Sequence, residues 1–417
     1  MGDVIAIDDL GAPVLNDVQR MAIDYGESKT TVLTVDAVCD AARARTGLID
    51  FGEEDFTVRL ALQLAEMDAD EERTGIGRLM MFGDCVRAAS NRLLIHDLLT
   101  RHPEILEVPI TRPVVVVGLP RSGTTHLVNL LAADTRFRSM PLWESYEPVP
   151  NPKDPPALDG VDPRWARCNG MWEAMQAAAP LVAVMHPMEP DHVHEEIELQ
   201  MPDFSSYTLE WVARAPLWRD HYLAHDQTPH YAYMKTVLQI LQWNSPRERW
   251  VLKSPQHLEQ LGPLLRTFPD ATVVVTHRDP VAVIQSTATM ACYGARTAYR
   301  TTRPEWYRDY WTERIGALLD ASLRDRQLLT EDRTVDVFFD QYMADELGTI
   351  ERVYERAGIA LTDQARSEIT DYKDAHPRGG EGRIAYDLAR QFGVTPEEVR
   401  TRFAAYLTAF PVRTEVR

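Results

Sequence analysis

Cysteine is scarce in this chain, four in 417 residues, and no two of them form a C-x-x-C pair. That excludes a disulfide framework and a cysteine-built structural zinc site, and it fits a reducing compartment. Positive charge is short as well: 44 Lys and Arg against 63 Asp and Glu leave a net charge of −19. Such an acidic body argues against nucleic acid or an acidic membrane as the principal partner. No stretch approaches the roughly 18 consecutive apolar residues of a spanning helix. The opening residues, Met1 to Asp9, lack the basic region and apolar segment of a secretory signal. The expected location is the cytoplasm, with peripheral membrane contact left open. Internal repeats are missing, and the only biased tract is the proline cluster from Pro148 to Pro156. What remains is ordinary for a soluble globular protein, with 45% hydrophobic and 26% charged residues.

Up to about residue 110 the chain reads as a helical N-terminal extension. Asp36 to Thr46 ends at Gly47, suited to the left-handed position after a helix, and Glu54–Met67 and Arg73–Leu99 carry apolar residues at the helical period. From 111 to 417 strands alternate with helices: Val114–Gly118, Trp250–Lys253, Thr272–Thr276 and Thr334–Phe339 are each followed by a helical pattern. Continuous apolar strands with helical crossovers predict an α/β fold, a parallel sheet flanked by helices. A long insertion, about 141–249, separates the first two of these strands and reads as a helical cap over the strand ends.

Chemistry concentrates where these strands end. The run from Val114 through Gly118, Arg121, Ser122, Gly123, Thr124 and Thr125 joins a buried strand to a helix through a glycine-bearing turn. That arrangement collects free backbone N–H groups at a helix N-terminus and makes an anion site. The glycine spacing fits a phosphate loop, but Thr124 stands where an NTPase carries lysine, and Arg121 lies inside the loop instead. A second strand end presents Arg278, then Asp279 as N-cap and Pro280 at the first helical position, with Ser286 eight residues after the arginine. Two anion cradles at strand C-termini call for a ligand with two separated anionic groups.

These segments resemble the sulfotransferases that use 3′-phosphoadenosine 5′-phosphosulfate (PAPS). Pro120–Thr125 is similar to that family's 5′-phosphosulfate loop, Arg278 and Ser286 to its 3′-phosphate site, and Trp250–His257 to its strand with a catalytic lysine, here Lys253. All three occur in the family's order, over about residues 114–410. The resemblance implies a P-loop-NTPase-like fold and PAPS as sulfuryl donor, with no metal required. It also implies that Arg121, Ser122, Gly123, Thr124 and Thr125 hold the phosphosulfate. The glycine-rich segment His376–Tyr386 looks like the family's late nucleotide-closing loop, with Arg378, Gly379 and Arg383 as its contacts. A nucleotide kinase or NTPase with a divergent loop, or a non-catalytic nucleotide-binding protein, is the alternative.

The base for the acceptor hydroxyl has several candidates. The resemblance implies Glu144, just after the loop helix. His192, His194 and Glu195 are rivals, in a segment read as helical, where His192 and Glu196 would share a face. Aromatic and Met residues gathered in the insertion, among them Trp172, Met175, Trp211, Trp218 and Tyr231, form its core or line an apolar channel. They favour a small hydroxylated acceptor that is apolar or lipid-like. The stretch Gly294–Pro304 is a candidate lid.

Overall fold

The computed structural model describes residues 4–157, 159–377 and 382–417. Among the described residues the strands are, in chain order, β1 (Val4–Ala6), β2 (Val114–Gly118), β3 (Phe137–Arg138), β4 (Arg249–Ser254), β5 (Thr272–His277), β6 (Thr334–Phe338) and β7 (Arg383–Ala385). The main sheet runs β3-β4-β2-β5-β6, and each of its neighbouring pairs is parallel. In β2, Val114 and Val116 pack on one face with Leu127, Leu130 and Tyr354, whereas Val115 and Val117 meet Leu238, Ile284 and Leu318 on the other. The period-two alternation thus feeds two apolar layers, which is why the strand reads as a continuous valine run.

The sequence missed β3, whose two residues extend the sheet beyond β4. It also missed the parallel β1–β7 pair, which ties the first described residues to the segment after residue 382. The helical pattern after the fourth of the strands read from the sequence is two helices, Phe339–Ala344 and Glu346–Ala357, broken at Asp345, whose side chain caps the second. Asp279 does cap the helix Pro280–Gly294, accepting from the Val281 amide at 3.1 Å.

Helices Val35–Thr46, Phe56–Ala69 and Gly75–Arg101 build the region before the sheet. Gly47 closes the first of them at φ 78°, the left-handed conformation expected there. Their core residues Val38, Leu60, Leu64, Met81 and Cys85 share one apolar cluster with Phe204, Leu209, Trp218 and Tyr222 of the insertion. The N-terminal helices and the insertion are therefore packed into each other. Gly294–Pro304 is not a loose lid: Ala295, Arg296, Tyr299 and Thr302 are buried, and Tyr299 bridges to Arg73. Its apolar and aromatic side chains make it a wall.

Insertion and sheet layer are pinned by one charged cluster. Arg314, on the helix Pro304–Asp325, is fully buried and donates to Glu210 from Nε at 2.8 Å and to Glu259 from both Nη atoms at 2.6 Å. Tyr310 donates its hydroxyl to Glu210 at 2.5 Å. Removing one partner of such a pair leaves an uncompensated charge in a medium that solvates it poorly. Arg314→Met should therefore cost about 3–5 kcal/mol, seen as a lower urea midpoint at unchanged m-value. A midpoint equal to that of the parent chain would show that the cluster does not hold the two layers together.

Candidate active site

The loop between β2 and the helix Thr124–Ala132 starts at Gly118, where a Cβ would lie 1.9 Å from Thr276 Oγ1 on β5. Only glycine allows the two strand ends to approach so closely. The Ser122 hydroxyl donates to the Leu119 carbonyl at 2.5 Å and lies 2.7 Å from Thr276 Oγ1. The Ser122 backbone N–H donates to the same carbonyl at 3.2 Å, so both of its donors are committed to loop structure. Arg121 sits at φ 63° and Gly123 at φ 87°. A left-handed arginine is uncommon and strained, and here it turns the loop so that the first-turn amides of the helix face outward together.

The second cradle adjoins the first. Arg121 Nε donates to Ser286 Oγ at 3.0 Å, and Ser286 in turn donates to the Tyr386 hydroxyl at 2.9 Å. Arg278 Nη1 donates to the Arg121 carbonyl at 2.5 Å, and its guanidinium stacks 4.0 Å from the Phe339 ring centre. Arg121, Arg278 and Ser286, which the sequence reading divided between two separate cradles, are therefore brought together. Tyr386 and Phe339 were missed. Tyr386 lies in the glycine-rich segment singled out for its arginines, and Phe339 had no local signal. Arg383 begins β7 and is exposed, while Arg378 and Gly379 lie outside the described residues.

Lys253 stands at the end of β4, only 1% exposed. Its ammonium donates to Thr125 Oγ1 at 3.2 Å and pairs with the Glu195 carboxylate. Next to it, Glu196 is fully buried, accepting from the Lys253 backbone N–H at 2.8 Å and meeting His257 Nε2 at 2.6 Å. His257 Nδ1 is 2.7 Å from the Tyr231 hydroxyl. Two consecutive glutamates thus grip one lysine, the first by its side chain and the second by its backbone.

Glu144 is placed elsewhere. On the short helix Leu142–Tyr146, its carboxylate accepts from Arg138 Nη2 at 2.6 Å, and it does not line the cavity described below. The segment holding His192 is not helical, which corrects the shared-face expectation. Pro187 and Pro190 restrict the backbone, Val193 bridges to Pro141, and the 3₁₀ helix starts only at Glu196. His186, His192 and His194 face one another with ring centres 5.9 to 6.4 Å apart. Burial and the neighbouring His194 and Lys253 charges push the His192 imidazole down to about 3, and burial likewise drives His186 well below its usual value. Burial works to raise the Glu198 carboxyl, but His194, Arg87 and Thr208 outweigh it and hold it below the ordinary range.

A cavity of about 860 Å³ opens from the loop and Lys253 end. At that end it meets Arg121, Thr124, Thr125, Glu195 and Arg278, and it continues between Met175, Ile197, Trp211, Met290 and Tyr307 to Ile76 and Met80 of the N-terminal helices. Trp218 and Tyr231, by contrast, are core residues. The site therefore has a cationic end and an apolar body. No helix among the described residues is long and apolar enough to cross a membrane.

Comparison with known proteins agrees with this geometry. Residues 113–363 match the model of the sulfotransferase family described as Sulfotransfer_3. The solved sulfotransferase STF9 from Mycobacterium avium superposes with a TM-score of 0.82 at 27% identity, over 93% of this chain and 100% of that one. Sulfotransferase STF1 from Mycobacterium tuberculosis H37Rv gives 0.77 at 28% identity, over 90% of this chain and 100% of that one. No curated protein matches. With the family model spanning more than half of the chain, and the phosphate loop, the second cradle and Lys253 inside the matched stretch, the chain belongs to the sulfotransferase family and is a sulfuryl-transferring enzyme.

Proposed function

We propose that the enzyme moves a sulfuryl group from PAPS to the hydroxyl of a largely apolar alcohol or phenol. The observation that carries this reading is the position of Lys253. Its ammonium touches Thr125 of the loop and Glu195 of the cap at the point where the anion cradle meets the apolar cavity. Arg121 and the amides of Gly123 to Thr125 would hold the 5′-phosphosulfate. Arg278 and Ser286 would take the 3′-phosphate. The residues fit such a donor: the chain turns left-handed at Arg121 and Gly123, immediately before the first-turn amides of the helix Thr124–Ala132, and those amides can face an oxyanion.

In the transfer, the acceptor oxygen forms its bond to sulfur as the bond from sulfur to the phosphate oxygen breaks. The acceptor proton passes to a carboxylate, and the negative charge collects on the departing phosphate. Lys253 would supply positive charge to that oxygen, a role worth more in a buried site than in water. Glu195 would take the proton once Lys253 turns to the donor, because it is the carboxylate already at the reacting end. Glu144, tied to Arg138, is assigned the structural role of fixing the helix Leu142–Tyr146 against β3. The four cysteines are free and buried, which supports a cytoplasmic setting.

Three outcomes follow from this reading. The product nucleotide 3′-phosphoadenosine 5′-phosphate (PAP) should stabilise the enzyme in a thermal-shift titration. A ligand at a hundred times its dissociation constant adds about 2.7 kcal/mol, and AMP or ADP with magnesium should not reproduce the shift. A response to Mg-ATP with none to PAP would instead mark a kinase-like site. With 2-naphthol as acceptor, Lys253→Ala and Glu195→Gln should each lower turnover by about 10²-fold or more while PAP binding changes little. Glu144→Gln should leave turnover near that of the parent enzyme, and a collapse there would return the base to Glu144. Finally, the unfolded chain takes up histidine protons below about pH 6.5, whereas folded His192 stays neutral down to about 3. The unfolded state thus binds more protons in that window, so stability falls on acidification, by up to about 1.4 kcal/mol per pH unit for each such residue. Urea titrations at several pH values should show His192→Gln flattening that slope, and an unchanged slope would remove His192 as its source.

A further inference from the structure

Arg278 has a second partner that the catalytic cycle does not use. Its Nε and Nη2 donate to the two carboxylate oxygens of Glu415, each at 2.8 Å. This is the flat edge with which a guanidinium grips a phosphate or carboxylate bidentately. The remaining nitrogen, Nη1, is already committed to the Arg121 carbonyl. Glu415 is held there by more than its own charge. Its backbone N–H donates to Asp279 Oδ2 at 2.8 Å, the Val416 N–H donates to the same oxygen at 3.3 Å, and Arg400 donates to the Val416 carbonyl at 2.6 Å. Val412 and Val416 pack against the main apolar cluster. Asp279, 1% exposed, thus anchors this segment with one oxygen and caps the helix Pro280–Gly294 with the other.

We propose that Glu415 is an internal competitor for the nucleotide: its carboxylate occupies the place on Arg278 that a donor's 3′-phosphate takes, so that a ligand carrying that phosphate must displace it to reach the arginine. The inference rests on the PAPS reading above. A nucleotide without the 3′-phosphate leaves the Arg278–Glu415 pair in place and gains nothing from the arginine. A 3′-phosphate carries more charge than one carboxylate and presents the same bidentate geometry, so it wins the exchange. Side chains 22% and 27% exposed keep the exchange within reach, because the released carboxylate is rehydrated where it stands.

The test is calorimetric titration of the full chain with PAP and with AMP, for the parent enzyme, Glu415→Gln, Arg278→Ala and the double variant. Removing the competitor should lower the PAP dissociation constant about five-fold, the scale of an exposed ion pair, and leave that of AMP unchanged. In the Arg278→Ala background Glu415→Gln should change neither value. Melting curves of the unliganded variants report on folding, and Glu415→Ala provides a second, smaller replacement. Unchanged or weaker PAP binding to Glu415→Gln would overturn the proposal, showing that the carboxylate only braces the arginine. Equal tightening of PAP and AMP would also overturn it, as a general effect of surface charge. If the parent enzyme binds PAP no better than AMP, the PAPS reading itself falls.

Discussion

The ammonium of Lys253 is the constraint to which the rest of the site answers. A lysine 1% exposed at the end of a central strand has lost its water, and an isolated charge in that position costs several kcal/mol. The chain meets the cost with a carboxylate, Glu195, and a hydroxyl, Thr125, from segments far apart in sequence. Because Glu196 also accepts from the Lys253 backbone, the segment 195–196 is fixed against β4 at two consecutive residues. The insertion is therefore not free to sit anywhere over the sheet. Its path, through the Pro141–Val193 bridge and into the 3₁₀ helix from Glu196 to Asp203, is set by where the lysine needs its counter-charge.

That placement divides the cavity. One end is lined by Arg121, Arg278 and Glu195, the carboxylate that pairs with Lys253, and the other by methionine, tryptophan and aliphatic side chains drawn from the insertion, the wall at 294–304 and the N-terminal helices. The two ends are built by different physics. The anionic end uses helix-terminal amides and strand-end cations, which local sequence encodes within a few residues. The apolar end uses side chains from elements more than a hundred residues apart, including Met80 and Met290. Histidines lie between them. His186 and His192, kept neutral by burial, let polar rings sit beside Lys253 without adding charge to a crowded centre.

This difference explains what could be read from the sequence. Gly118, Gly123 and the Asp279 cap are local, and local rules of turns and helix ends recovered them along with the parallel sheet. The partner of Lys253 is not local. Glu144 and Glu195 are both acidic residues in the insertion, and nothing in spacing tells which one reaches a lysine more than fifty residues later; the structure ties the first to Arg138 and the second to Lys253. The segment around His192 is not a helix because its backbone pairs outside itself: the Leu142 N–H donates to the His192 carbonyl at 2.9 Å and the His194 N–H to the Met140 carbonyl at 2.8 Å. The two-residue strand β3 is too short to carry any period, and Glu415 gives no sequence signal because its partner lies 137 residues away.

An acidic protein that receives a polyanion must resolve a conflict, since a net charge of −19 repels the donor at long range. The repulsion is screened beyond about 8 Å in physiological salt, so what decides binding is the charge within the cleft. There, Lys253 and Arg278 are each matched to a carboxylate, Glu195 and Glu415 respectively. Arg121 keeps its charge beside them, its Nε donating to the uncharged Ser286 hydroxyl. Positive charge is therefore confined to the one end of the cavity where strand β4, the loop after β2 and the end of β5 meet, and the parallel register of those strands fixes where Lys253 and Arg278 stand relative to each other.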